Sequence, residues 1–306
     1  MADFTALIHS SASEATIEAA VSSALWADRI VVINMAGLDQ TASIAERLGA
    51  EVITIPQQPW SDALRNAQLG TVETEWTFVL DSDESLAGGS GELIDTLVSQ
   101  RGGDYDAFAI PRANQIAGQV MQSSGWWPDR QVRLFRTGTV CYSEKLHTAP
   151  EVLSGAGRVN SVEEEFGLVI EHQNYPDLSS MIERQVRYAV TDHYDSDPEA
   201  FDVGAYAQQA YETLGRRLDV ATDGDLSRAL ATVMAWDCVI RALVHWDSLD
   251  PRPPLDEFLA VPITTAVAAP AAPHPEYDAL LAAYEKVLRS KSWRLTAPLR
   301  RLRGND

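Results

Sequence analysis

Four short apolar runs separated by stretches of helical period constrain this chain more than any other feature. Phe4-Thr-Ala-Leu-Ile-His9, Arg29-Ile-Val-Val-Ile33, Glu51-Val-Ile-Thr-Ile55 and Glu75-Trp-Thr-Phe-Val-Leu80 read as strands. The second is β-branched and continuous, the pattern of a strand buried on both faces of a parallel sheet. Between them, residues 14–26, 40–48 and 62–70 read as helices, the second closed by Gly49. The order β-α-β-α-β-α-β is doubly wound and of the mononucleotide-binding kind, an α/β fold whose ligands lie beyond the carboxyl ends of the strands. A site is therefore expected on the loops after strands one, two and four: Ser10-Ser11, Asn34 to Asp39, and Asp81 to Glu84. Neither Gly-x-Gly-x-x-Gly nor a Walker loop is present, which removes the main support for dinucleotide or P-loop binding.

Beyond Asp104 the pattern turns β-like, with strand candidates at Ala107–Ile110, Gln131–Phe135 and Gly167–Ile170. Helical candidates follow at Met181–Ala189, Ala205–Arg217 and Leu226–Val244. Residues 251–274 are rich in Pro and Ala and read as a semi-rigid linker, and residues 275–306 as a basic helical tail. The expected organisation is thus a sheet domain over 1–176, a helical extension over 177–250, the linker and the tail. With 24 basic and 44 acidic residues the formal charge is −20, which disfavours a nucleic-acid partner. The two cysteines, Cys141 and Cys238, have no zinc or disulfide spacing and fit a reducing cytoplasm. No signal peptide and no uninterrupted apolar run of ~18 to 20 residues is evident.

Asp81-Ser-Asp83-Glu84 carries the chemistry. Two carboxylates at i and i+2 on a strand-end loop can share one hard cation such as Mn²⁺ or Mg²⁺. The bland alternative is a solvated acidic turn capping the next helix; the position after the fourth strand of a nucleotide-type sheet favours the cation.

Trp76-Thr-Phe-Val-Leu-Asp-Ser-Asp-Glu84, preceded by Arg65-Asn66, resembles the family 2 glycosyltransferases. The likeness is greatest to the branch with lipopolysaccharide-core β-glucosyltransferases. Trp126-Trp127-Pro128-Asp129-Arg130-Gln-Val-Arg133-Leu-Phe-Arg136, Leu146-His147-Thr148, His172-Gln-Asn-Tyr175 and Arg187-Tyr-Ala189 continue it. It spans about residues 4 to 190 and implies a GT-A fold, a nucleoside diphosphate sugar donor (a UDP-sugar first) and inverting transfer to an acceptor hydroxyl. It also implies that Asp81 and Asp83 grip the metal and diphosphate, with His172 as a third metal candidate. A hydrogen-bonded core histidine is the alternative for His172. The acceptor would be a surface glycan, a lipid-linked glycan or a protein.

By the same likeness, Asn34 and Asp39 stand where the family contacts base and ribose, beside Ser10; the family's first Asp is here Asn34. Arg65 and Arg133 are donor-binding candidates, and a surface salt bridge is the alternative for Arg65. Trp126 and Trp127 suit stacking on a sugar ring, or core packing. The family has Glu where this chain has Thr148, and threonine cannot act as a general base. The nearby carboxylates are Asp129, Glu144 and Glu151; Asp129 is the favoured base, with an ion pair to Arg130 or Arg133 as its alternative, and Glu144 and His147 are the further catalytic candidates.

Seven of the basic residues lie between Lys286 and Arg303, interleaved with Trp293 and leucines. Such a segment suits an anionic membrane surface, which would place the protein at the inner face of the membrane. Docking on the chain's own acidic body or on a second copy, as a homo-oligomer, is the alternative. Two rival functions stand beside transfer. A nucleotidyltransferase would need a Gly-rich basic loop after strand one, which His9-Ser-Ser-Ala-Ser-Glu14 lacks. A non-catalytic sugar-nucleotide binder would fit Asn34 and Thr148.

Overall fold

A computed structural model describes residues 2–35, 39–56, 62–143, 149–153, 158–191 and 201–248. Glu144, His147, Thr148, the linker and the basic tail lie outside the described residues. Residues 1–249 form one compact unit.

The expected alternation is present as β1 (Phe4–Ser10), α1 (Ile17–Ser23), β2 (Arg29–Met35), α2 (Thr41–Arg47), β3 (Glu51–Ile55), α3 (Asp62–Leu69) and β4 (Trp76–Asp81). These four strands are parallel, in the order β3-β2-β1-β4. β1 is buried along its whole length, as its apolar run requires. Ile8, Val32, Phe78 and Leu80 pack on one face of the sheet; Leu7, Val31, Ile33 and Val79 pack on the other.

The chain continues through β5 (Glu84–Leu86), α4 (Ser90–Arg101), β6 (Ala107–Ile116), β7 (Gln119–Val120), β8 (Asp129–Arg136), β9 (Val140–Cys141), β10 (Glu151–Val152), β11 (Val159–Ser161) and β12 (Ile170–Tyr175). β8 joins β4 antiparallel, and the sheet runs on β8-β6-β12-β5. The layout, a parallel doubly wound half extended by a mixed half, agrees with the α/β fold expected from the sequence. The apolar run Gly167–Ile170 is not a strand: Gly167 takes a left-handed φ of 81° after a 3₁₀ turn, and the strand begins at Ile170.

Three helices complete the unit: α5 (Leu178–Thr191), α6 (Val203–Leu218) and α7 (Asp225–Ser248). Asp202 caps α6, accepting from the N–H groups of Gly204 and Ala205. By length and composition α7 suffices to cross a membrane, although no uninterrupted apolar run marks it in the sequence. Here it packs on α5 and α6 and buries Leu230, Ala231, Ala235 and Cys238.

Candidate functional site

The strand-end loops converge at the carboxyl edge of the parallel half. β4 delivers Asp81, Ser82 and Asp83 form the turn, and Glu84 opens β5. The Ser82 N–H donates to the His9 carbonyl at 2.9 Å, and the Asp81 N–H donates to Glu84 Oε2 at 3.0 Å. The acidic turn is thereby sewn to β1 and to its own last residue.

Asp81 meets two guanidiniums. Arg65 Nη2 donates to Oδ1 at 2.6 Å, and Arg133 Nη2 donates to Oδ2 at 2.7 Å. Arg133 also reaches Glu84 Oε1 at 2.7 Å, and Arg112 donates to the same oxygen at 2.8 Å. The far side of Arg112 donates twice to Asp129 Oδ2, at 2.9 and 2.6 Å. Charges thus alternate along Arg65–Asp81–Arg133–Glu84–Arg112–Asp129. Arg65, Arg133 and Glu84 are each at most 5% exposed, and buried charges persist only when paired in this way. Arg65 is therefore not a surface salt bridge.

The electrostatic consequence is directional. Burial pushes the Asp81 carboxyl up, but Arg133 and Arg65 prevail and hold it well below the usual carboxylate range. Burial likewise opposes ionisation of Asp129, but Arg112, Asn114 and Gln131 hold its carboxyl low. Burial and then Arg65 lower His9 to about 3, so it is neutral; it pairs with Gln68 Oε1 at 2.7 Å.

Asp83 differs from Asp81. Its carboxylate meets no arginine among the described residues, and its Oδ2 lies 3.5 Å from His172 Nε2. His172 comes from β12, whose register sets it opposite Glu84 on one side and Asn114 on the other. Among the described residues no three of His, Cys, Asp or Glu converge as a metal cage. Asp83 and His172 make a two-donor corner instead. A carboxylate and an imidazole would give Mn²⁺ two protein donors and leave its other positions to phosphate and water oxygens, whereas Mg²⁺, an oxygen-seeking ion, would use the Asp83 carboxylate alone. Asp81, expected as a co-ligand, has both oxygens engaged by arginine and anchors the guanidiniums.

Other expected site residues have different surroundings. Ser10 and Asn34 sit side by side in register at the ends of β1 and β2. Ser10 Oγ and Asn34 Oδ1 are buried without a partner among the described residues. Asp39 is turned to structural use: Oδ1 accepts from the Thr41 N–H at 3.2 Å and Oδ2 from the Glu14 N–H at 3.1 Å. Trp126 packs in a small cluster with Ile116, Met121, Tyr175, Met181 and Leu230, under the Arg217 guanidinium. It is a core residue, whereas Trp127 is half-exposed. Asp129, expected as the base, has Oδ2 held by Arg112 and Asn114, and Oδ1 accepting from Gln131 at 2.7 Å. Its partner is Arg112, neither Arg130 nor Arg133, and so engaged it is a poor proton acceptor.

Three residues of this network were not anticipated: Glu84 in its pairing role, Arg112 and Asn114. Arg112 and Asn114 alternate on one face of β6 beyond its apolar start at Ala107–Ile110, a period-two signal present in the sequence. Asn66 was named only in a motif. Its Nδ2 donates to the Tyr142 carbonyl and its Oδ1 accepts from the Tyr142 N–H, both at 2.7 Å. The segment leading to Glu144 and His147 is thus pinned beside Arg65.

No family model matches the chain. Among solved structures it is similar to S. aureus TarS, at 13% identity and a TM-score of 0.44, over 81% of this chain and 55% of that one. TarS 1-349 in complex with UDP gives 14%, 0.44, and coverage of 82% and 92%. Glucosyl-3-phosphoglycerate synthase from Mycobacterium tuberculosis, with Mn²⁺, UDP and glucosyl-3-phosphoglycerate, gives 19%, 0.31, and coverage of 37% and 44%. The chain spans only about half the length of the longer TarS chain. At these values the likenesses bear on neither ligand nor reaction.

Proposed function

We propose that this protein transfers a glycosyl group from a nucleoside diphosphate sugar to an acceptor hydroxyl. The observation that carries this reading is the Asp83–His172 corner, set beside the buried Arg65–Asp81–Arg133 pairing at the carboxyl edge of the parallel strands. When bound there, a divalent cation would neutralise charge growing on the departing diphosphate. Arg65 and Arg133, held in place by Asp81, would offer guanidinium N–H donors to the diphosphate at the same end of the donor. Ser10 Oγ and Asn34 Oδ1, buried and unpartnered, suit the polar edge of a base such as uracil.

In the transfer, the acceptor oxygen attacks the anomeric carbon, the bond from that carbon to the phosphate oxygen breaks, and the nucleoside diphosphate leaves with the electron pair. The acceptor proton passes to a base. We assign the base to Glu144 or His147 on the sequence resemblance, because the Asp129 carboxylate is engaged by Arg112, Asn114 and Gln131. Asp129 keeps a positioning role. Inversion, the acceptor class and contact of the basic tail with a membrane surface remain parts of the proposal carried by the sequence alone.

The test is a thermal-shift panel of nucleoside diphosphates with and without Mn²⁺, on wild type and Asp83→Ala. A ligand bound only by the native state raises stability by RT ln(1 + [L]/Kd). UDP is expected to raise the melting temperature of wild type only with Mn²⁺, and not that of the variant. The absence of a metal-dependent shift with every nucleotide would sink the proposal. A donor binder without turnover is the second reading, favoured by the full engagement of Asp129. UDP-sugar binding in a calorimeter without product over an acceptor panel would select it.

A further inference from the structure

Asn114 is fully buried in β6 and touches four groups. Its Nδ2 donates to the Trp126 carbonyl at 2.9 Å and to Asp129 Oδ2 at 3.1 Å. Both are acceptors only, since Arg112 keeps Asp129 ionised. The amide is therefore oriented: turned over, its oxygen would face a carboxylate and a carbonyl. Oδ1 consequently faces His172 Nδ1 at 2.8 Å and the Asn174 amide nitrogen at 3.1 Å. A carbonyl oxygen can only accept, so His172 Nδ1 carries a hydrogen. In the neutral ring the lone pair then lies on Nε2, which faces Asp83 Oδ2 at 3.5 Å. Two acceptors oppose each other across a gap that a cation would bridge.

We propose that Asn114 is a positioning residue that fixes His172 in its Nδ1–H tautomer, so that Nε2 and the Asp83 carboxylate present their lone pairs to one divalent cation. This rests on the cation-bound donor reading above. Register makes it possible: β6 lies between β8, which carries Asp129, and β12, which carries His172 directly opposite Asn114. Asp129 serves the same end by holding the amide turned. Outer partners of this kind typically change metal affinity by about 10- to 100-fold when lost.

The experiment uses the full chain labelled with ¹⁵N-histidine, together with Mn²⁺ titrations in the presence of UDP. Without metal at pH 8, the His172 nitrogen shifts of wild type are expected to report Nδ1–H. Asn114→Ala is expected to lose that preference and bind Mn²⁺ about tenfold more weakly, with Asn114→Ser intermediate. An Nε2–H ring in wild type overturns the proposal even if neither variant folds. So does an Asn114→Ala protein that folds and keeps its Mn²⁺ affinity. A wrong tautomer beside normal Mn²⁺ binding would remove Asn114 alone. Wild type with the expected tautomer but no Mn²⁺ uptake would overturn the donor reading and the cation with it.

Discussion

The acid–arginine edge of the sheet and the Trp126 segment are neighbours held by opposite means. At the sheet edge, Arg65 from α3, Glu84 from β5 and Arg133 from β8 are buried charges, each paired with an opposite charge. The Trp126 segment is a loop, held from outside by the α6–α7 connection. Asp223 accepts from the Gln122 N–H at 3.0 Å and from Ser123 Oγ at 2.5 Å, while Ser124 Oγ donates to the Arg217 carbonyl at 3.0 Å. Electrostatic pairing fixes the proposed donor side; neutral and charge-assisted clamps on a small apolar cluster fix the other. The first should therefore fail abruptly when one charge is removed, and the second by degrees.

Glu84→Ala tests the first half most severely. It leaves buried Arg133 with Asp81 alone and Arg112 with Asp129 alone, and urea unfolding should show a loss of about 3–5 kcal/mol. A loss below ~1 kcal/mol would mean that the network is not a unit.

The next effect depends on pH. His9 is lowered to about 3 in the folded chain, against an ordinary value near 6.5. Between those values the unfolded chain binds a proton that the folded chain refuses. Stability is thus fully present above pH 6.5 and is lost as pH falls toward 3, at up to ~1.4 kcal/mol per pH unit. His9→Gln should flatten the slope of urea midpoints between pH 6 and pH 4; an unchanged slope would rule out His9 as its source.

On the second half, Asp223→Ala should cost about 1–2 kcal/mol and red-shift tryptophan emission as Trp126 loosens. A larger loss than that of Glu84→Ala would reverse the comparison. Trp127→Ala should leave the melting curve within ~0.5 kcal/mol of wild type, because the ring is half-exposed and outside the Trp126 cluster.

The parallel half was legible because strands buried on both faces must be continuously apolar, and Arg29 to Ile33 or Trp76 to Leu80 can be little else. The acidic turn was legible from its place at a strand end. The partners of its acids were not, because they are set by cross-strand register. Nothing near Arg112 says that β8 will lie opposite with Asp129, or β12 with His172. β12 itself was misplaced since its buried side carries His172 and Asn174 instead of apolar residues. Trp126 was ambiguous for another reason: the residues that cover it, Met181 and Leu230, belong to helices far along the chain.

β12 enters the sheet between β6 and β5, and the Gln173 N–H donates to the Asp83 carbonyl at 2.9 Å. During synthesis the parallel half and Asp83 emerge long before this strand. A nascent chain therefore has a nucleotide-type sheet but no imidazole facing its acidic turn. If the Asp83–His172 corner holds a divalent cation as proposed, its capture would become possible only when β12 threads into the gap, and ion affinity would then report on completion of the sheet.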